Sequence, residues 1–532
     1  MKTYHLILPL LACTVPMNVS AGNNYVVEEA THEALAAAIE KCTSTNPNDP
    51  DMVTFCIKDK NNIALTSIIA LENKAIIIDG FNNATKNYIV LDGTEPKRIF
   101  SNTAGANVEL KNLKLTGCNN IVWPITGVVD TETYPDIDPK IKTNVFLNQC
   151  DFYDNDGSTN APDKAINGGA IRCNGASLKV YHCNFSNNSC GGTYGGGAIC
   201  LYNNGINTAT LEVEGTSFVN NSSIKNNNTN PKKNTTLGGG AILIYNLSSS
   251  GTSIKASIKN STFYGNSTEY RGGSVYVTNE NTTKDVTVEF INNTISGNSA
   301  VNAGGGLCFF GKANTKVNIA LINNLITNNG ITAVNDFGWW NLGSRVFITA
   351  YNNIVTDGGA FCTSFVNVEP SNGNQQFTKD MTLIYKYAQK ATVGSTTLDV
   401  PVLEGGFYKV APLCEGSLAS KAGIATLEGY TIPTKDAAGN TRPAVPSVGA
   451  MEISNNLPTS VDGVSSTEMK LNKIGNQLVV NGIESGVVNV YNLLGELVLS
   501  SSIDETKTVS IESLSNGIYV ANIESVSFKF IK

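Results

Sequence analysis

Few side chains in this sequence are suited to bind a metal. Beyond residue 21 it has only two histidines, His32 and His182, which stand far apart, and no CxxC pair occurs. A zinc site needs several His, Cys or carboxylate ligands at defined spacing. We therefore predict that both histidines are structural and that the chain has no His-built zinc site.

Three aspartates, Asp154, Asp156 and Asp163, share one polar stretch. Their carboxylate oxygens are ligands of the kind that Ca²⁺ prefers. Asp is also a common turn residue in contact with solvent. The turn interpretation is favoured, so no metal is predicted.

Acid–base chemistry on a polysaccharide needs carboxyl groups on one face, and a lyase also needs a basic residue nearby. No adjacent Asp pair occurs in the repeats described below, and Arg172 and Arg271 stand beside two different Gly-Gly pairs. Surface charge is the favoured interpretation of both arginines. We predict no catalytic residue and no cofactor.

The most distinctive segment outside the repeats is DFGWWN at 336–341. If exposed, Trp339 and Trp340 would form a stacking platform for sugar rings. Neighbouring residues of a strand point to opposite faces, so one of the two is expected in the core. The pair is a hypothesis for a ligand platform.

An internal repeat dominates residues 110–360. Its first motif is an apolar residue, two variable residues and then Asn or Asp, with Gly358 at this position in the last copy. The leading residues are spaced by 33, 33, 45, 32, 31 and 29 positions. The long interval holds a polar insert, 222–236, which is expected to be a surface loop. The leading residues are Phe152, Phe185, Phe218, Phe263, Ile295, Ile326 and Val355.

A second motif, Gly-Gly followed by a small or apolar pair, alternates with the first. It begins at Gly168, Gly196, Gly239, Gly272 and Gly305. Two motifs with one shared period predict a right-handed parallel β-helix, an all-β fold in which each repeat is one coil.

The physical role of each motif position follows from that fold. The leading Phe or Ile should stack inward as an apolar ladder. The Asn at the fourth position is expected at a turn in left-handed geometry, with its amide pairing along the stack. The Gly-Gly pair should mark a corner where a positive φ or a close backbone approach excludes a side chain.

Composition limits the classes of partner. The 532 residues carry a formal net charge of −7, and only 15% of them are charged. A negative chain is poorly suited to nucleic acid or an anionic membrane, so neither is predicted as a partner. No later run approaches the ~18 apolar residues of a spanning helix, which predicts no transmembrane segment in the mature chain.

Residues 1–21 are interpreted as a signal peptide, with Lys2, an apolar stretch and a small-residue cleavage site ending at Ala21. An alternative is a lipobox that would make Cys13 the lipidated first residue. The apolar stretch before Cys13 is short, so cleavage near Ala21 is favoured.

Two pairs of cysteines stand out among the eleven that remain. Cys42 and Cys56 are expected to form a local disulfide near the N-terminal cap. Cys150 and Cys183, each two residues before a motif Phe, are expected to stack as free thiols, because strand spacing holds their Cβ atoms too far apart.

The ends of the repeat predict three further segments. THEALAAAIEK, Thr31–Lys41, is expected to be a capping helix with Thr31 as N-cap. The β-helix with this cap is assigned to 22–453 and a polar linker to 454–467. Residues 468–532, with alternating strands and Asn-Gly turns, predict a small β-sandwich.

The alternating GGAI and FxxN motifs resemble the repeats of chlamydial polymorphic outer membrane proteins and similar bacterial β-helix adhesins. The segments 436–442 and 447–452 resemble the closing signature of such solenoids. With the N-terminal helix, the resemblance covers most of residues 25–453. No translocator segment follows the repeats, so self-transport is not expected.

The tail resembles the type IX secretion C-terminal sorting domain of Bacteroidota. VYNLLGELVLSS, LSNGIYVANIES and FKFIK carry the resemblance, and its marked positions are Gly495, Gly517, Ile518, Tyr519 and Lys532. It implies the secretion machinery as a partner, and release or anchoring at the cell surface after export. A fibronectin-type stalk domain is the alternative.

The expected function is non-catalytic and adhesin-like, with binding to a glycan or to a host or bacterial surface. Parallel β-helices also support polysaccharide lyases and glycoside hydrolases, so a carbohydrate-active enzyme on the same scaffold is the alternative.

Overall fold

The structure is a computed structural model that divides the chain into two compact units between Ser460 and Val461. It describes residues 22–453 and 470–532 apart from 96–97, 102–104, 119–142, 158–166, 192–193, 204–207, 225–237, 248–250, 331–336, 342–344, 357–372, 377–378, 475–476, 482–485, 493–496, 504–507, 516 and 524–525. The predicted signal peptide and linker lie outside the described residues.

The first unit is a stack of coils in which equivalent strands of successive coils pair in parallel. Ladder 1 consists of Asn24–Val27, Asp51–Phe55, Ala75–Asn82, Asn107–Lys111, Asn144–Asn148, Ser177–Tyr181, Ala209–Glu214, Ile254–Lys259, Val286–Ile291, Val317–Ile322 and Val346–Tyr351. Ladder 2 consists of Asn62–Ala64, Asn87–Asp92, Leu113–Thr116, Asp151–Tyr153, Asn184–Ser186, Ser217–Val219, Thr262–Tyr264, Thr294–Ser296, Leu325–Thr327, Ile354–Val355 and Gln375–Gln376.

Two shorter ladders complete each coil of the repeat region. Ladder 3 consists of Asp156–Gly157, Ser189–Cys190, Ser222–Ser223, Ser267–Thr268 and Ser299–Ala300. Ladder 4 consists of Ile171–Asn174, Ile199–Asn203, Ile242–Asn246, Val275–Asn279, Leu307–Gly311 and Phe337–Asn341. Near the N-terminus Ile69–Ala70 pairs with Phe100–Ser101. The insert expected as a loop from residue 222 thus begins with a ladder 3 strand.

The predicted apolar column is present along ladder 2. The leading motif residues are cross-strand partners from one coil to the next, and all are fully buried. The four phenylalanine rings stack nearly parallel, with centroids 4.6, 5.0 and 4.7 Å apart. The members of the column are Phe152, Phe185, Phe218, Phe263, Ile295 and Ile326.

The motif asparagines form the predicted amide column. Each side-chain NH₂ donates to the amide oxygen of the next Asn, at 2.8 or 2.9 Å. The backbone N–H of each Asn also donates to that next oxygen, so almost no polar group of the corner is unsatisfied. The column contains Asn155, Asn188, Asn221, Asn266, Asn298 and Asn329.

The expected left-handed geometry of these asparagines is wrong. The positive φ belongs to the third motif position, for example 54° at Asn187 and 65° at Gly265. That residue turns the chain, whereas the fourth residue points inward and is buried. The two roles are separate because a buried amide must face the stack while the turn residue faces solvent.

Four of the five Gly-Gly pairs behave as predicted, with a positive φ at the first glycine, for example 78° at Gly196 and 77° at Gly239. In the fifth, the positive φ of 64° belongs to Gly304, one residue before the predicted start at Gly305, since Val275 pairs with Leu307. A Cβ on the second glycine would collide with the next coil, since at Gly197 it would lie 2.1 Å from the carbonyl oxygen of Gly240. The motif therefore permits close backbone approach at the start of ladder 4.

The N-terminal end is covered by the predicted helix, His32–Lys41. The Thr31 hydroxyl accepts a hydrogen bond from the Ala34 N–H at 3.2 Å, which makes Thr31 the N-cap. Leu35 and Ile39 are buried against the first coil. This apolar cover shields the edge of the stack from pairing with other chains.

The parallel ladders end at Gln375–Gln376 among the described residues, before the predicted boundary at 453. Residues 381–453, called here the closing segment, contain a 3₁₀ turn at Met381–Leu383 and an antiparallel hairpin of Ala388–Val393 with Thr396–Pro401. This segment lacks both motifs and cannot extend the buried columns. It packs its apolar side chains on the outer faces of ladder 2 and of the second half of ladder 1 instead.

A buried charged cluster fixes the closing segment to the solenoid. Arg442 forms an ion pair with Glu452 at 2.7 Å and donates to the Asn260 amide oxygen at 2.9 Å. Asp436 accepts the N–H of Glu452 at 3.0 Å. Burial lowers the pKa of Arg442, and the two carboxylates oppose that shift. The segments that resemble a closing signature therefore supply this cluster.

The cysteines are free thiols in the described residues. The predicted Cys42–Cys56 disulfide is wrong: Cys42 is buried against its own helix and donates to the Ala38 carbonyl, while Cys56 is exposed. Cys150 and Cys183 are stacked and free as predicted. The Cys150 N–H donates to the Cys183 sulfur at 3.4 Å, and the Cys150 thiol donates to the Leu110 carbonyl at 3.3 Å, so both thiols take part in the hydrogen bonding of the stack.

The second unit contains two antiparallel sheets. One consists of Lys470–Ile474, Gln477–Asn481 and Thr508–Ser510, and the other has the order Leu497–Ser502, Val487–Asn492, Ile518–Ile523 and Val526–Ile531. Its core includes Leu478, Val488 and Tyr519. The predicted fold class, a parallel β-helix with a cap helix and a small C-terminal β domain, is confirmed.

Candidate functional site

The closing segment covers the second half of the outer face of ladder 2 and reaches part of its first half. The closing segment meets this face from Asn260 onward, where the Asn260 amide donates to the Lys435 carbonyl and the Ala450 N–H donates to the Thr294 hydroxyl. Towards the N-terminus the closing segment reaches further, since the Tyr408 ring lies 5.7 Å from that of His182 and the Phe407 ring lies 5.6 Å from that of Tyr88 on the second strand of ladder 2. A cleft lies beside these contacts.

The cleft has a volume of about 390 Å³ and mixed lining. Strand register explains which residues meet there. Residues one position before and one after the motif Phe point outward, because side chains alternate along a strand. The lining is Val90, Lys114, Asp151, Tyr153, Asp154, Ser186 and Asn187.

These residues form short columns across four coils. Val90, Lys114 and Asp151 are successive cross-strand partners, and Asp151 is followed by Asn184. Tyr153 lies between Thr116 and Ser186 in the neighbouring column. Parallel pairing spaces successive members by about 4.8 Å, so the cleft has polar groups at regular intervals.

The electrostatics of the cleft centre on Asp151. Burial raises the pKa of its carboxyl, while a hydrogen bond from the Asn184 amide at 2.9 Å and the cations Lys114 and Lys409 oppose that shift. The pKa of Tyr153 is also raised, first by burial and then by the Asp151 charge. A carboxyl and a phenol in such surroundings are able to exchange hydrogen bonds with a polar ligand.

Asp154 and Asn187 form the outer rim of the cleft. Both have left-handed backbones at the third motif position, and the Asn187 amide donates to the Asp154 carboxylate at 3.0 Å. Both side chains are exposed. They offer a carboxylate and an amide to a ligand lying on Tyr153.

The aspartates considered for Ca²⁺ do not come together. Asp154 lies on the cleft rim, Asp156 accepts the Ser189 hydroxyl at the start of ladder 3, and Asp163 lies outside the described residues. No group of three or more His, Cys, Asp or Glu side chains with metal-site geometry occurs in the part of the chain that the structure describes.

The two histidines lie in separate structural settings. The His32 ring shares a hydrogen bond of 2.8 Å with the Ser67 hydroxyl beside the cap. His182 is a corner residue with φ 52°, and its ring occupies the space above Gly215. Burial lowers the pKa of His182.

Of the two arginines considered for catalysis, Arg172 lies on ladder 4 and Arg271 lies in the corner before the ladder 4 strand Val275–Asn279, and neither lines the cleft. Arg172 donates to the Tyr202 hydroxyl at 3.1 Å through Nε and lies over that ring. Arg271 lies over the Tyr270 ring, 4.6 Å from its centroid, and contacts the Tyr276 hydroxyl. They bind a buried aromatic cluster on the outer side of this ladder.

The predicted tryptophan platform is only partly described. Trp339 and Trp340 lie on the last strand of ladder 4, in register with Phe309 and Phe310. Phe309 is fully buried and Phe310 is half-buried on the opposite face. The side chains of both tryptophans lie outside the described residues, so the platform stays a prediction.

The outer face of ladder 1 is polar and open in its first half, whereas in its second half Ile291, Ala320 and Ile322 are buried against Ile432 of the closing segment. The charges of the polar half are paired between coils, with Lys111 to Asp79 at 3.0 Å and Lys179 to Glu212 at 3.2 Å. Tyr181 donates to the same Glu212 carboxylate at 3.0 Å, and the Phe146 ring meets the Tyr181 ring edge to face. This surface combines aromatic rings with fixed hydrogen-bonding groups.

The predicted sorting positions are described in part. The Lys532 N–H donates to the Gly517 carbonyl at 2.9 Å, which joins the two ends of the terminal hairpin. Tyr519 is buried, and its hydroxyl donates to the Ser515 carbonyl at 2.9 Å. Gly495 and the side chain of Ile518 lie outside the described residues.

Fold and tail together define a class, a β-solenoid followed by a separate small antiparallel β domain. Residues 472–532 match the family model of the secretion system C-terminal sorting domain. A search of curated proteins finds no match to the chain. The tail is therefore a type IX sorting domain that interacts with the secretion machinery. The protein is exported and is either released or attached to the outer cell surface.

No helix among the described residues has both the length and the apolar composition needed to span a membrane. The resemblance of the repeats to polymorphic outer membrane proteins stays a prediction.

Sequence reasoning missed the cleft because the Asp-Phe-Tyr combination at 151–153 does not recur along the repeat. The available signal was the position of Asp151 and Tyr153 on either side of Phe152. Alternation places both on the outer face once Phe152 is assigned to the core.

Proposed function

We propose that this exported solenoid is a non-catalytic, adhesin-like protein that binds a glycan or a cell surface. The observation that carries the proposal is the outer face of ladder 1. Its charged groups already pair with one another across coils, and aromatic rings lie among them. A flat surface of pre-oriented groups suits an extended partner, because little side-chain entropy is lost on binding.

The test is binding by residues 22–532 to a glycan array and to host and bacterial cells. The double variant Phe146→Ser, Tyr181→Ser removes the two aromatic rings of the face and should weaken binding at least tenfold. Tyr387→Ser is the matched control, since Tyr387 is 52% exposed on the closing segment. Absence of binding by the unmodified protein to any glycan or cell would contradict the proposal.

One observation favours a carbohydrate-active enzyme as a second candidate. Asp151 is a carboxyl of raised pKa beside Lys114 in an open cleft, as a general acid would be. Incubation with a polysaccharide panel should then release reducing ends or unsaturated products, and Asp151→Asn should abolish that release. Equal product formation by the Asp151→Asn variant would exclude this cleft as the catalytic site.

A further inference from the structure

The cleft at the edge of the closing segment has the composition of a sugar-binding site. Tyr153 presents a half-buried aromatic ring on an otherwise polar face. Aromatic rings stack on the C–H face of a pyranose, and planar carboxylate and amide groups hydrogen-bond to its hydroxyls. Asp151, Asp154 and Asn187 supply those planar groups around the ring.

The charges around Tyr153 discriminate between kinds of sugar. Three carboxylates, Asp92, Asp151 and Asp154, act on the Tyr153 hydroxyl. The cations at the cleft are Lys114 and Lys409, and Lys409 already donates to the Gly405 carbonyl at 2.8 Å. The surroundings are therefore net negative, and an anionic uronic acid would be repelled.

We infer that this cleft binds one neutral pyranose ring, stacked on Tyr153 and hydrogen-bonded by Asp154, Asn187 and Asp151. The inference rests on the proposed function, since it names the sugar chemistry that the exported protein recognises. Lys114 lies one coil before Tyr153 and Ser186 lies one coil after it, so both line the cleft beside the ring. The shallow, open form of the cleft suits a terminal sugar of a longer glycan.

Ligand-detected NMR on residues 22–532 tests the inference directly. The probes are glucose, galactose, mannose, N-acetylglucosamine and glucuronate. At least one neutral sugar should show saturation transfer that Tyr153→Ala reduces roughly tenfold in affinity, whereas Tyr153→Phe retains it because the ring remains. Asp154→Asn should weaken the same signal.

The matched control is Tyr264→Ala. Tyr264 occupies the same strand position three coils further along ladder 2, but there the Gln389 amide of the closing segment contacts its hydroxyl at 3.3 Å. Its loss should leave sugar binding unchanged. Circular dichroism and thermal melting of each variant verify that the fold is retained.

Three results would overturn the inference: no saturation transfer from any neutral sugar, an unchanged signal in Tyr153→Ala, or stronger binding of glucuronate than of every neutral sugar. These are separable from failure of the proposed function. If the protein binds cells through ladder 1 but binds no monosaccharide, only the inference about the cleft is wrong. If it binds a monosaccharide at Tyr153 but no cell or array glycan, the inference about the cleft holds and the proposed function is wrong.

Discussion

At each corner that ends the FxxN motif, one buried Asn side chain makes the hydrogen bonds that hold neighbouring coils together. Asn221 makes four hydrogen bonds: its oxygen accepts from the N–H and the amide of Asn188, and its NH₂ donates to the Phe185 carbonyl and to Asn266. No apolar residue can replace these bonds. The buried polar groups of the neighbouring coils would then lack partners.

Asn221→Ala should therefore lower the free energy of unfolding by about 2–4 kcal/mol, measured by denaturant titration. The adjacent Asn220 is the control, because it is exposed and has φ 55°, a conformation that glycine adopts freely. Asn220→Gly should change the stability by less than about 0.5 kcal/mol. Equal effects of the two substitutions on the free energy of unfolding would show that the buried Asn column stabilises the fold no more than an exposed corner residue does.

His182 makes stability depend on pH. Burial lowers its pKa in the folded protein, so the unfolded chain binds the proton more readily. Stability from this group is therefore complete above the unfolded pKa of about 6.5 and is lost as the pH falls below it. The equivalent corner position is Asn at 260, 292 and 323, which makes His182→Asn a conservative change.

His182→Asn should reduce the loss of unfolding free energy between pH 7.5 and pH 5. Carboxyl groups titrate in the variant and in the unmodified protein alike. The difference in pH dependence between the two proteins therefore reports on His182. Urea titrations at the two pH values provide the measurement. An identical pH dependence in the two proteins would mean that protonation of His182 is not coupled to folding.

At the scale of the strand and the corner, glycine sets the distance between coils. Gly197 lies where a Cβ would be 2.1 Å from the Gly240 carbonyl oxygen and 2.5 Å from the Ser222 N–H. Both are backbone atoms of the packed coils, and the Ser222 N–H is held by a hydrogen bond to the Asn188 carbonyl at 2.8 Å, so an added Cβ would have to separate two coils. Gly197→Ala should cost about 3 kcal/mol or more, or prevent folding.

The control for Gly197 is Gly416→Ala on the closing segment. Gly416 has φ 70° but no atom within 4 Å of an added Cβ, so only the backbone preference is lost. That loss should be about 1 kcal/mol. Thermal melting and soluble yield of the two variants compare a packing effect with a purely conformational one. A milder effect at Gly197 than at Gly416 would contradict the packing argument.

The closing segment depends on a buried charge pair. Arg442→Met leaves Glu452 and Asp436 buried without their cation, which should cost about 3–5 kcal/mol. The segment should then detach before the solenoid unfolds, and limited proteolysis should cut within 381–453. The double variant Arg442→Met, Glu452→Met removes both charges and should recover part of the loss. Resistance to proteolysis in the single variant would refute this role.

The elements predictable from the sequence are those that recur. A shared period places Phe152, Phe185 and Phe218 in one register, since any slip would bring polar neighbours into the core. The closing segment was not predictable because its key contact joins Asn260 to Arg442, 182 residues apart. No local pattern records such a pairing.

The corner was predicted only in part, for a similar reason. Where the motif ends in Asn-Asn, as at Asn187-Asn188, the sequence does not show which residue turns the chain. Other repeats have Gly265 and Gly297 at the third position, and this identifies the third residue as the one with positive φ, because glycine is favoured in that conformation. The cleft escaped prediction since the combination of Asp151 and Tyr153 around one motif Phe occurs in a single coil.

At the scale of the whole molecule, export depends on the second unit. Its fold joins Lys532 to Gly517 and buries Tyr519, so its recognised surface depends on an intact terminal hairpin. Tyr519→Ser removes a ring from a small core and should unfold this unit, because a domain of this size is only marginally stable. The solenoid has a separate core and should remain folded.

Tyr519→Ser should therefore retain the protein inside the cell envelope, whereas the Tyr387→Ser control should reach the surface or the medium. Fractionation and surface labelling of cells that express the two variants measure this directly. The retained solenoid should still melt cooperatively, which separates a sorting defect from general misfolding. Surface display of Tyr519→Ser at the control level would show that secretion does not require the folded hairpin and that recognition depends on a short linear signal.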